Sequence, residues 1–162
     1  MSRTKPRSLP VVSLSAEHLA IGYLMRRNIL AYKAPPHNEG YDLICIHPDP
    51  RKVTRQIRVQ VKSRYQSDCD RAFPVKEKSF AAFDYVIVAF LNIGYFYRKK
   101  PVRDGFREID FYTLPTAWIQ AHHYVAESGW QKVHTKNHPL DEFKNEAGFE
   151  QIAVALGIDY PQ

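Results

Sequence analysis

Seven apolar residues in a row, from Tyr85 to Leu91 (Tyr-Val-Ile-Val-Ala-Phe-Leu), follow Asp84 and stop at Asn92. A near-continuous run of β-branched and aromatic residues with no polar member reads as a strand covered on both faces. Such a strand needs neighbours on either side and packed layers above and below. The run is far too short to span a bilayer, so no membrane partner is expected. The chain has 162 residues, which suits one domain, and a domain of this size buries about two-thirds of its unfolded surface without disulfides or a structural metal. Cys45 and Cys69 are too few for a disulfide framework, and no secretory signal follows the basic residues Arg3, Lys5 and Arg7, so a cytoplasmic location is expected.

The rest of the pattern supplies what the buried strand needs. Residues 1–12 are basic, contain Pro6 and Pro10 and have no period, so they read as a flexible basic arm ahead of a single domain over 13–162. Residues 13–30 predict a helix, capped by Ser13 or Ser15, with Glu17 in its first turn and Leu19, Tyr23 and Leu24 as its apolar stripe. A strand is expected near 29–32, a turn over 35–40 and a second strand over 41–47. Residues 56–62 alternate Ile57, Val59 and Val61 against Arg58, Gln60 and Lys62, a period of two. The last two strands, joined by a short polar link, predict an antiparallel hairpin. Further strands are expected at 95–97 and 108–112, a helix at 115–126 and one or two helical segments over 140–156, around Gly148. Trp118, Trp130, Phe143 and Phe149 are expected to pack those helices onto the sheet. The fold class that follows is α/β, a central mixed β-sheet flanked by helices.

Charge points to a class of partner. Lys and Arg outnumber Asp and Glu by 23 to 17, a net +6. A basic surface attracts polyanions through counterion release.

One group of residues carries chemistry. Gln60 and Lys62 lie two apart on a strand, so they point the same way. Asp42 opens the preceding strand, which a hairpin brings beside Gln60. Glu17 lies on a helix that packs against the same sheet. Three oxygen donors and an ammonium would then converge, and phosphodiester hydrolysis needs such a set. Mg2+ or Mn2+ prefers oxygen ligands, and a bound metal polarises the phosphate and acidifies a water. Asp42 and Glu17 offer carboxylates, and Gln60 a neutral amide oxygen. Lys62 can position or deprotonate the water, or stabilise developing charge. Adjacent carboxylates would raise its pKa, which favours the electrostatic role.

Glu17 on the first helix, then Gly40-Tyr41-Asp42-Leu43, then Val59-Gln60-Val61-Lys62-Ser63 together resemble the PD-(D/E)XK nuclease superfamily. More narrowly they resemble its branch with Gln-x-Lys at the third motif, as in Mrr-type restriction endonucleases. The resemblance covers roughly residues 13–91. It implies a restriction-endonuclease-like core, divalent-metal-dependent endonuclease activity and DNA as substrate, with RNA as the alternative. Gln60 stands where the commonest form has Asp or Glu, which removes one anion. Two other readings use the same fold or charge: a catalytically inactive nucleic-acid-binding module, and a basic protein-interaction domain. A homodimer would present two sites to two strands.

Further cations suit a nucleic-acid surface. Arg64 follows the strand of Gln60 and Lys62, with Lys76 and Lys78 beyond it. Arg98, Lys99, Lys100 and Arg103 cluster among Tyr95, Phe96, Tyr97 and Phe106, where charges can hold phosphates and rings can stack on bases. His122, His123, His134 and His138 lack the cysteines of a structural zinc site and read as surface histidines. No Gly-x-x-x-x-Gly-Lys or Gly-x-Ser-x-Gly occurs, which leaves nucleotide-triphosphate and serine-hydrolase chemistry without support.

Overall fold

A computed structural model describes residues 10–67, 71–93 and 107–159. The first helix, α1, spans Pro10–Arg26. Proline suits a first helical position, where no amide partner is needed, so the helix starts at Pro10 and not at Ser13. Ser15 lies inside it, donating its hydroxyl to the Val12 carbonyl at 2.5 Å. Glu17 is therefore two turns in and not in the first turn. The face that α1 buries is Ala16, Ala20 and Leu24, one residue per turn, with Leu19 and Tyr23 only partly covered. The helix stops short of residue 30 because Asn28 turns left-handed at φ 63°, a common helix end.

Two short strands follow, β1 (Leu30–Lys33) and β2 (Leu43–Ile46), paired antiparallel. The alternating segment forms β3 (Ile57–Arg64), and the apolar run forms β5 (Tyr85–Phe90), after a short β4 (Ala72–Pro74). Then come β6 (Asp110–Pro115), α2 (Thr116–Ala121), β7 (His123–Val125), β8 (Gln131–His134) and α3 (Asn145–Ala155). Five strands make one mixed sheet in the order β1-β2-β3-β5-β6, with β3 and β5 parallel and the other neighbours antiparallel. The mixed sheet between helices is therefore as the pattern of apolar runs predicts. The helix expected over 115–126 ends at Ala121, and its second half is strand β7. Gly148 lies inside α3 and does not divide it. The strand expected at 95–97 falls outside the described residues.

Each face of the sheet has its own core. On one, α1 and α3 lay Ala16, Ala20, Leu24, Phe149 and Ile152 against Leu43, Val59 and Ile87. Arg26 to Glu146 (2.5 Å) and Arg27 to Glu150 tie the two helices together. Cys45 is fully buried here, and burial pushes its thiol up to about 12. On the other face, Val86, Val88 and Phe90 meet Phe73, Val75, Ile119 and Val133. Those partners come from α2 and from a second, three-stranded sheet, β4-β8-β7. No helix of the described residues is long and apolar enough to cross a membrane.

Gly148 permits the close approach of α3 to the turn before it. A Cβ there would lie 2.2 Å from the Phe143 carbonyl oxygen and 3.0 Å from the Thr113 Cβ. Backbone must move to admit it, and overpacking of this kind costs about 1–3 kcal/mol. Gly148→Ala is expected to lower stability by that amount in urea unfolding, although alanine is the better helix former.

Candidate active site

Asp42 is the residue just before β2. Its amide donates to the Val59 carbonyl at 2.8 Å, and its carboxylate accepts from the Val61 amide at 2.7 Å. The side chain thus takes the place of a strand partner and is held against β3. The pairing Leu43↔Val59 sets Asp42 opposite Gln60 one residue further on, so both lie on the same sheet face. Lys62 follows on that face, beside Val88 of the parallel neighbour.

The four sequence-predicted residues come together unevenly. Asp42 and Lys62 are close enough to shift each other's titration, and Glu17 acts on Asp42 from α1. Glu17 itself is ion-paired with Lys33, the last residue of β1. Lys33 also acts on Asp42. Sequence reading passed over Lys33, although the hairpin register Lys33↔Leu43 sets it next to Asp42. The side-chain oxygen Oε1 of Gln60 is buried and meets no hydrogen-bond donor among the described residues.

Burial dominates the electrostatics. It raises the Asp42 carboxyl above its ordinary range, and Glu17 adds to this; the Val61 amide, Lys62 and Lys33 oppose it. Burial also lowers the Lys62 ammonium, helped by Arg64 and Lys76, while Asp42 opposes. The carboxylate effect expected for Lys62 is therefore present but outweighed: desolvation of a charge on a half-buried strand exceeds the pull of one neighbouring anion.

Of the other cations, Arg64 ends β3 and Lys76 sits between β4 and a 3-10 turn, both near enough to act on Lys62. Lys78 is exposed on that turn. Arg98, Lys99, Lys100 and Arg103 fall outside the described residues. The histidines are less superficial than expected. His122 stacks on Trp118 with ring centroids 4.1 Å apart and meets His138 edge-on at 4.5 Å. His123 bonds through Nε2 to the Val75 carbonyl at 2.8 Å. Among the described residues no three His, Cys, Asp or Glu side chains form a cluster suited to a metal. A cation at Asp42 would thus draw on two carboxylates and one amide. That set is chemically suited to Mg2+ or Mn2+, which take neutral and anionic oxygens alike.

No protein-family model matches the chain, and no curated protein does. Among solved structures it is similar to a bacterial homing endonuclease, I-Ssp6803I, at 17% identity and TM-score 0.50 over 94% of each chain. It is also similar to the Holliday junction resolvase Hjc of Archaeoglobus fulgidus, at 10% identity and TM-score 0.47, over 92% of this chain and 98% of that one. The first likeness shows the fold: the mixed sheet with flanking helices is restriction-endonuclease-like.

The shifts have a stability consequence. The fold holds the Asp42 proton more tightly than the unfolded chain does, so ionising Asp42 costs stability as pH rises through its folded titration. Lys62 is the reverse case: its charge costs stability below its folded titration. Asp42→Asn keeps an acceptor for the Val61 amide and sheds the charge. Its urea midpoint at neutral pH is expected to exceed that of the natural protein, with the advantage shrinking in acid. Asp42→Ala leaves the amide unpaired and is expected to lose about 1–3 kcal/mol. A lower midpoint for Asp42→Asn than for Asp42→Ala would contradict this account.

Proposed function

We propose that the chain is a divalent-metal-dependent endonuclease that hydrolyses DNA phosphodiester bonds, of the Gln-x-Lys kind that the Mrr-type resemblance implies. The observation that carries this reading is the oxygen of Gln60, which is buried without a donor among the described residues, opposite a carboxylate fixed to the same strand. A buried acceptor left unpaired costs about 1–3 kcal/mol, and a hard cation would remove that cost. Asp42 and Gln60 would hold Mg2+ or Mn2+, with Glu17 as the second anion once Lys33 releases it. The bound metal supplies charge to the scissile phosphate and an acidified water.

The protein's own groups do the rest. The Val61 amide fixes the direction of the Asp42 carboxylate. Burial disfavours that charge, so Asp42 gains more from a cation than an exposed acid would. Lys62, lowered by burial, gives up a proton more readily than a surface lysine. It orients the attacking water and takes part in its deprotonation. Arg64 and Lys76 lie about Lys62 and bind flanking phosphates, which position the strand without reading its sequence. Lys78 extends that surface, and the basic residues Arg98, Lys99, Lys100 and Arg103 are further candidates for holding phosphates. The net charge of +6 and the likeness of fold to a homing endonuclease support DNA as the substrate. Two copies of the chain would serve the two strands of a duplex.

Supercoiled plasmid tests the reading. Nicking or cutting is expected with Mn2+ or Mg2+ and none in EDTA. Asp42→Ala and Lys62→Ala should each slow it by about 100-fold or more, the scale of a lost acid–base group. An Asp42→Ala protein as active as the natural one would sink the proposal. Salt-sensitive binding with no cleavage and no response to metal would favour an inactive binding module. Calorimetry with Mn2+ is a separate check. Affinity should fall as pH drops through the raised titration of Asp42, because protons compete for the ligand oxygens. It should rise in Gln60→Glu, which restores an anion.

A further inference from the structure

Trp130, expected to pack the C-terminal helices onto the sheet, is 45% exposed, and Tyr124 and Val125 are 51% and 53% exposed. The tyrosine belongs to β7 of the small β4-β8-β7 sheet, and the tryptophan is the residue just before β8. Lys132 and His134 lie two apart on β8 and share its outward face, and Trp130 immediately precedes the strand. Across the ladder Tyr124 pairs with Lys132. The Lys132 ammonium lies over both rings, 4.5 Å from the centroid of Trp130 and 5.4 Å from that of Tyr124. The His134 ring is 6.3 Å from Tyr124. β4, β7 and β8 contain no Asp or Glu; Glu127 lies in the turn between β7 and β8, and Glu77 donates its amide to the Gln131 Oε1 at 2.6 Å.

Large exposed rings beside a strand, with a cation between them, have a specific use. Unpaired bases stack on aromatic faces whatever their identity, and ammonium groups hold the intervening phosphates. Duplex DNA cannot use the rings, because its bases are already stacked. The face is also connected to the candidate active site. Val75 donates its amide to the Gln131 carbonyl at 3.2 Å, and the next residue, Lys76, stands at the Trp130 end of the small sheet. Lys76 acts electrostatically on Lys62.

We propose that the outer face of this sheet is a binding platform for single-stranded nucleic acid, with Trp130 and Tyr124 stacking on unpaired bases and Lys132 and Lys76 on the phosphates. It would receive a strand that leaves the site unpaired, and in that respect it deepens the nuclease reading. Its own recognition chemistry requires no metal.

The test is therefore binding in EDTA, which separates this proposal from any failure of the nuclease reading. The probes are a fluorescein-labelled 20-mer oligothymidylate and a 20-base-pair duplex, measured by anisotropy at fixed salt. Trp130→Ala and Tyr124→Ala should each weaken oligothymidylate binding by about tenfold, within the range for one lost base–aromatic stack, and leave duplex binding nearly unchanged. Trp130→Phe should recover most of the loss. Because both side chains are exposed, circular dichroism should match the natural protein. Three results would overturn the proposal: no oligothymidylate binding by the natural protein, equal affinity in the alanine variants, or an equal loss on duplex, which would mean that the face meets phosphates only.

Discussion

The candidate active site depends on β3. It is the middle strand of five, bonded antiparallel to one neighbour and parallel to the other. A strand so placed cannot slip by one residue without turning its buried set toward the opposite layer. Ile57 and Val59 are locked under α1, and Gln60 and Lys62 are thereby fixed on the reverse side. Asp42 then borrows the Val61 amide, so the acid is indexed to the same strand as the amide and the lysine. The site inherits its rigidity from the core, as a site on strands does more readily than a site on loops.

The same placement has a cost. A half-buried acid and a half-buried lysine are each displaced from their ordinary titration by loss of water, and the fold bears that expense. Glu17 is instead ion-paired with Lys33. The two acids are thus in different circumstances. One is anchored by a backbone bond and poorly solvated. The other is charge-paired and must exchange its partner to do anything else. Functional groups commonly sit at such compromises between stability and use.

Much of this was legible in the sequence, for identifiable reasons. The run ending at Leu91 and the alternation through Lys62 are long enough for periodicity to speak. The mixed sheet, the hairpin and the grouping of Asp42 with Gln60 and Lys62 follow from them. The strands of the small sheet are not legible. β4, β7 and β8 have three or four residues each, too few to show a period, so β7 was read as the continuation of a helix. The start of α1 is not legible because proline marks a loop as readily as it serves as a first helical residue. Lys33 was missed because its importance comes from register, a property of two segments. Trp130, expected to pack a helix onto the sheet, instead precedes β8, a strand that shows one face to the second core and the other to solvent.

The buried stripe of α1 begins with two alanines, Ala16 and Ala20, both fully enclosed. Their side chains are single methyl groups, so the helix axis lies nearer the strands than leucine or phenylalanine would allow. Glu17 is adjacent to the first of them. The depth of that layer therefore acts as a ruler for how far the carboxylate extends toward Asp42. A larger side chain at either alanine would lift the helix and draw the acid away while leaving every polar residue of the site intact. The reach of the acid is thus governed by two residues that have no chemistry of their own.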